Sequence, residues 1–272
     1  VSYLLTLGAT YVLAKQLTGR RWSAWLAGAV AAVNGRLVWA GLSALETGLF
    51  AALSLLAISH YLRGRPSGRY PLLSGTLLGL ATLTRPEGVL LFALSAADFL
   101  ILGPRPESDA SRDEGYVAGL AQRIGDLVPA LALFATLVLP YVLFSLRTSG
   151  HPLPNTFSAK TTFNFLPDLT FLSHVSQYLI LDNPLLLPFF VLGVGALFRR
   201  APVLSTWAAL LPTVYAFLHA TLYQHGRYLI PLIPCNAVIG IAGLLEARKW
   251  ARQRDWRWRS SRMSLVVLVV VL

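Results

Sequence analysis

Charge is scarce in this chain and cysteine is nearly absent. Aspartate, glutamate, lysine and arginine together make up 13% of its 272 residues, and Cys235 is the single cysteine. A lone cysteine excludes an intramolecular disulfide. With no zinc-ligand spacing elsewhere, it leaves no metal site to read. No Walker phosphate loop and no Gly-Xaa-Ser-Xaa-Gly elbow occurs, so there is no case for a nucleotide or metal hydrolase. No internal repeat of fixed period stands out, which weakens a transporter built from inverted repeats. The alternating segments of about ten residues that a membrane barrel needs are missing as well.

What the chain has in excess is apolar sequence. Hydrophobic residues make up 55% of it and the mean hydropathy is +0.60. A soluble domain of this size cannot bury so much apolar surface. The apolar runs approach the ~20 residues that cross a bilayer as helix. They predict an all-α, polytopic transmembrane helical bundle with spans at 1–14, 22–40, 47–62, 71–84, 88–103, 127–146, 175–198, 203–222, 229–247 and from 263, about nine to ten in all. The first and last of these runs are short for a span. The chain therefore reads as an internal fragment of a longer protein, truncated at both ends. Residues 1–272 form a single transmembrane domain with a polar cytoplasmic loop at 104–126 and an outer loop at 147–170.

The net charge of +11 would suggest nucleic acid in a soluble protein. In a membrane protein the positive-inside rule explains it better, and no nucleic-acid partner is expected. Alternating the spans sends eighteen of the 23 lysines and arginines to one side and five, Arg36, Arg85, Arg147, Lys160 and Arg227, to the other. The richer side is then cytoplasmic. The basic run from Arg248 to Arg259, interleaved with tryptophans, reads as an anchor on anionic lipid rather than an RNA-binding patch. The sorting depends on residues 71–103 forming two short helices broken at Thr84-Arg85-Pro86-Glu87-Gly88. A single helix there would flip every later loop. Irregular backbone at membrane depth is tolerated where protein buries it or a wet cavity meets it, so Arg85 and Glu87 are expected in a cavity open to the outside.

Four polar motifs fall on the sparsely charged side. The first runs from Asn34-Gly35-Arg36 to Leu45-Glu46-Thr47-Gly48. The others are Thr84-Arg85-Pro86-Glu87-Gly88, Pro154-Asn155-Thr156-Phe157-Ser158-Ala159-Lys160 and Tyr223-Gln224-His225-Gly226-Arg227-Tyr228. Each has an ordinary structural account. Thr84 can cap a helix, Pro86 suits a first helical turn, and Glu46 and Glu87 complement positive helix ends. Proline followed by asparagine favours a turn at 154–155. These accounts leave Arg85 unexplained, since a charge at membrane depth needs a partner or a function. Lys160 suits a phosphate as a point charge, and Arg227 offers a planar donor fork. Gly226 permits close backbone approach. Asp168 and Asp182 read as loop and helix-end residues, and His60 and His219 as structural. The candidate substrate-binding residues are Arg36, Glu46, Arg85, Glu87, Asn155, Lys160, His225 and Arg227.

In their order along residues 34–234, these motifs resemble those of bacterial multi-spanning glycosyltransferases of the GT-C fold. The similarity is greatest to the terminal arabinofuranosyltransferase-like branch of actinobacterial cell-wall assembly. The series that carries it is Gly41–Gly48, Leu83–Gly88, Pro152–Lys160 and Gly226–Pro231. The resemblance implies an enzyme that moves a sugar from a polyprenyl-phosphate donor to a glycan, lipid or protein acceptor. The transfer occurs on the outer face of the bacterial cytoplasmic membrane, by a single inverting displacement. It implies partners in the bilayer, the lipid-linked donor and the acceptor, and no certain cofactor beyond the donor itself. It also places the catalytic aspartate in a first outer loop, upstream of Val1. The competing expectation is a transporter or flippase for an anionic or lipid-linked substrate.

Overall fold

The computed structural model describes residues 1–43, 45–103, 112–152, 163–218 and 226–253, with side chains from Gly119 onward in the third segment. Among these residues there are eleven α-helices and no strand. They are α1 (Ser2–Thr18), α2 (Arg21–Ala32), α3 (Gly35–Leu42), α4 (Glu46–Gly64), α5 (Leu72–Thr84), α6 (Gly88–Leu102), α7 (Arg112–Ser149), α8 (Leu169–Asp182), α9 (Leu187–Phe198), α10 (Pro202–Phe217) and α11 (Leu232–Gln253).

Helix ends fall where the chemistry of the sequence changes. The Asn34 side chain accepts from the Leu37 amide at 3.1 Å and so starts α3. Asp168 accepts from the Thr170 and Phe171 amides at 2.8 and 3.1 Å and starts α8. Each supplies an acceptor to amides that a helix start leaves without a partner. The break between α5 and α6 lies at Arg85–Glu87, as the charge pattern requires. Thr84 does not cap α6, since the N-cap position falls at Glu87; the Thr84 hydroxyl instead donates back to the Ala81 carbonyl at 2.7 Å.

Three expectations are corrected. The run 22–40 is not one helix, since α2 and α3 meet at a bend of 66°. Once Asn34 turns its side chain to capping, the backbone there leaves the helical path. The run 175–198 is likewise split, with α8 and α9 at 104° to one another. Pro184 disfavours helical backbone at Asn183 and ends α8. Finally, the loop 104–126 is not wholly irregular, because α7 is already helical from Arg112.

Among the described residues one segment, Gly119–Ser149, is long and apolar enough to cross a membrane unaided, and up to three are if each bent pair counts as a span. Only 17% of its apolar window is buried, which leaves Leu131, Leu139 and Phe144 on the surface. An apolar face of that extent suits lipid better than water. The 13 residues of α5 rise only about 20 Å, against a hydrocarbon core of about 30 Å.

The core is built on Trp207, Tyr61, Tyr215, Phe50 and Phe99, all fully buried. Helix α1 packs against α2 and α4, α4 against α5, and α5 against α7, while α11 lies along α9, α2 and α1. The α9–α11 crossing is close because both helices present glycine. A Cβ on Gly243 would collide with the Phe189 carbonyl, and one on Gly193 with the Ile239 carbonyl.

Side-chain bonds between helices identify two ends of the bundle. Gln16 and Ser59, 2.6 Å apart, bring the ends of α1 and α4 together. Arg65 reaches the Leu102 carbonyl at 3.0 Å and Arg123 the Leu100 carbonyl at 2.9 Å, which adds the end of α6. Lys15, Arg20, Arg63, Arg65, Arg123, Arg200 and Arg248 all belong to this basic end. At the opposite end Tyr3 donates to the Ala32 carbonyl at 2.6 Å and Thr6 to the Gly48 carbonyl at 2.8 Å. Helix α8 lies across that second end instead of passing through the bundle. Its start is tied to α10 by the Asp168 amide on the Ala216 carbonyl, and its last residue, Asp182, is tied to α3.

Candidate functional site

Five stretches distant in sequence meet beneath α8: the start of α3, the start of α4, the α5–α6 break, the end of α10 and the turn before α11. The α5–α6 break contributes Arg85 and Glu87, which are 4% and 5% exposed. The Arg85 guanidinium donates through Nη2 to Glu87 Oε1 at 2.6 Å and through Nε to the same oxygen at 3.1 Å. The Tyr215 hydroxyl donates to that oxygen as well. Arg85 Nη1 also donates to Thr47 Oγ1 at 3.3 Å, and the Phe50 and Tyr228 rings lie within 5.8 and 5.3 Å of the guanidinium carbon.

Burial opposes ionisation of both groups, yet each ends up held in its charged form. Desolvation would raise the Glu87 pKa, but Arg85 beside it and the two donors outweigh burial and hold the carboxyl below its ordinary range. Desolvation would lower the Arg85 pKa, and Glu87 and Tyr215 together raise it instead. The pair is an internal salt, kept by mutual charge where neither member would stay charged alone. The second Glu87 oxygen, Oε2, is buried with no hydrogen-bond partner among the described residues.

Glu46 lies toward solvent from this pair. Its side chain is 37% exposed, and its Oε1 sits 3.4 Å from both Arg85 Nη1 and Arg227 Nη2. Those contacts are long for charge-assisted hydrogen bonds, which run at about 2.7–2.9 Å. Arg227 is 21% exposed and stands over the Tyr228 ring at 5.6 Å.

A second ion pair borders the first. Arg36 Nη1 donates to Asp182 Oδ2, and Asn34 Nδ2 donates to Asp182 Oδ1 at 3.1 Å. The other Arg36 nitrogen donates to the Gly226 carbonyl at 2.9 Å, and the guanidinium stacks 4.0 Å over the Tyr178 ring. Gly226 has φ +63°, and a Cβ there would press on Tyr178 at 2.8 Å and on Arg36 at 3.0 Å. Only glycine accepts both that backbone conformation and that close an approach.

Of the eight residues expected in the site, the structure therefore gathers Arg36, Glu46, Arg85, Glu87 and Arg227 at one end. Asn155, Lys160 and His225 lie outside the described residues. Among the described groups, three arginines meet three carboxylates, Glu46, Glu87 and Asp182. The arrangement is thus close to neutral and not the cationic cluster that the motifs alone suggest. Asp182, read from sequence as a helix-end residue, is the last residue of α8, and its pairing with Arg36 adds it to the site. Its signal was an ionisable residue inside an apolar run, which implies a function or a partner. Tyr215 and Tyr178 left no such signal, since tyrosine in an apolar helix is ordinary. Among the described residues no group of three His, Cys, Asp or Glu side chains is placed to hold a metal ion.

Compared with models of known families, with curated proteins and with solved structures, the chain finds no match.

Proposed function

We propose that this end of the bundle is the donor-binding half of a membrane glycosyltransferase of the GT-C type. The protein is then a polytopic bundle of about nine to ten passes in a bacterial cytoplasmic membrane, with the polar end facing outward. The observation that supports this reading is a division of labour. Arg85, Glu87 and Tyr215 are buried and bonded to one another through Glu87 Oε1, while Glu46 and Arg227 are partly exposed and meet at a longer 3.4 Å. Such a site holds its inner charges in a buried pair and presents its outer pair, Glu46 and Arg227, to solvent at a separation that a phosphate oxygen can better.

In the proposed reaction the bond between the sugar anomeric carbon and the phosphate oxygen breaks, and its electron pair leaves on the polyprenyl phosphate. The acceptor hydroxyl oxygen forms the new bond to that carbon and gives up its proton to the catalytic aspartate that the family resemblance implies. Charge develops on the leaving phosphate, and preorganised donors aimed at such charge supply most of the electrostatic stabilisation. A phosphate oxygen at about 2.8 Å from Arg227 would outcompete the 3.4 Å contact to Glu46. Glu46, released, accepts a hydrogen bond from a sugar hydroxyl. Arg85 is a positioning residue that orients Glu46 from below.

The test is turnover in vesicles containing a polyprenyl-phosphate sugar and an acceptor glycan. Arg227→Ala and Glu46→Gln are expected to lower transfer by about a hundredfold or more while thermal unfolding stays near wild type. Wild-type turnover in both variants overturns the assignment. Movement of substrate across sealed vesicles with no new glycosidic bond would establish the transporter instead.

A further inference from the structure

The basic end contains a pocket that the proposed transfer does not use. It opens where α1, α9 and α11 come together; among the described residues it is lined by Arg20, Arg200, Arg248, Lys249 and Arg252, with Glu246 as the one carboxylate. Glu246 accepts from Lys249 at 2.7 Å. Among the described residues no salt bridge engages the four arginines.

Cations at helix C-termini are ordinary, since each such end carries about half a negative charge. Two helices, α1 and α9, end at this pocket, and α11 runs its last turns along it. One cation per helix end would satisfy that rule, and five exceed it. The floor is apolar, with Leu197 and Leu245 2% and 8% exposed. Close by in sequence to Arg20 and Lys249 are the surface tryptophans Trp22 and Trp250, 42% and 53% exposed, a residue type favoured at a membrane interface. Arginine forks around an apolar floor match a phosphodiester joined to a hydrocarbon-bearing glycerol.

We propose that this pocket binds the phosphate headgroup of an anionic phospholipid from the leaflet at the basic end. The inference rests on the membrane-spanning reading and is independent of glycosyl transfer. The arginines grip the phosphate, and the lipid wedges α9 against α11 and α1. A soluble phosphate shares the headgroup chemistry but lacks the acyl chains that bring a lipid to the helix ends.

The experiment titrates the purified protein in mild detergent with phosphatidylglycerol or phosphatidylcholine and reads bound lipid by native mass spectrometry. Arg200→Gln/Arg248→Gln/Arg252→Gln is expected to weaken phosphatidylglycerol binding about tenfold or more. Lys15→Gln/Arg63→Gln/Arg69→Gln removes the same charge from the same end outside the pocket and is expected to change it less than about twofold. Equal losses in both triple variants would reduce the effect to net charge and overturn the proposal. Full displacement of phosphatidylglycerol by millimolar inorganic phosphate would make it a soluble-anion site and overturn the lipid assignment. The triple arginine-to-lysine variant guards against misfolding, since it keeps the charge and is expected to bind at an intermediate level. A wild-type protein in detergent with no preference for phosphatidylglycerol would overturn this proposal alone. Recovery of soluble protein without detergent would remove the membrane reading along with it.

Discussion

The two ends of this bundle handle charge in opposite ways. At the polar end Arg36, Arg85 and Arg227 each meet a carboxylate, and the inner pair is almost completely buried. At the basic end the arginines of the α1–α9–α11 pocket stand exposed with no salt bridge among the described residues. Charges at the first end must be matched because burial removes the water that would otherwise solvate them. Charges at the second can remain unmatched because water or a lipid headgroup reaches them. The same residue type therefore holds structure together at one end and offers a surface at the other. Two pairs depart from this contrast. Lys249 donates to Glu246 within one turn of α11, and Arg65 donates to Asp98 at 2.9 Å, where Asp98 is only 6% exposed, so a buried charge is paired at either end of the bundle.

The comparison breaks most sharply at Arg85. Arg85→Ala strands Glu87 in the interior and is expected to cost about 3–5 kcal/mol of stability, measured by thermal unfolding in detergent. Arg85→Met with Glu87→Gln should recover much of that loss, because removing both charges removes the burial penalty as well. Arg36→Ala is expected to cost about 2 kcal/mol, less than Arg85→Ala because Asp182 keeps its bond from Asn34. It should also loosen α8, which a rise in amide exchange over residues 169–182 would show.

Acid separates the ends by a smaller effect. The folded Glu87 carboxyl is held below its ordinary pKa, chiefly because Arg85 overcomes the opposing burial. Its contribution to stability is complete above the ordinary carboxylate pKa and is lost as pH falls through the lowered folded value. Wild-type protein should therefore lose stability in acid, and Glu87→Gln should start lower and show a flatter acid limb. A wild-type unfolding temperature as insensitive to acid as that of Glu87→Gln would contradict the paired state. The smallest stability effect belongs to the basic pocket, where Arg248→Gln should stay within about 0.5 kcal/mol of wild type.

Much of the fold was legible because apolar runs and their interruptions obey local rules. The break at Arg85–Glu87, the start of α4 at Glu46 and the sorting of lysine and arginine between the ends all follow from residues near one another in the chain. The bends at Asn34 and Asn183 were less visible. An apolar run reads alike whether its helix is straight or folded back, and a capping asparagine competes with helix only when tertiary contacts reward it. Asn34 has such contacts, since it caps α3 and also holds Asp182.

The site divides along the same line. Sequence by itself determined which residues are unusual, namely charges and glycines set into apolar stretches, and it placed Arg36, Glu46, Arg85, Glu87 and Arg227 at one end. Tertiary structure alone decided which of them pair. Arg85 turns to Glu87 and Tyr215, Arg36 turns to Asp182 across 146 residues of chain, and Glu46 and Arg227 are left facing outward. The physical reason is that a buried charge takes whatever partner lies within about 4 Å, and no spacing rule in a sequence reports a distance across helices.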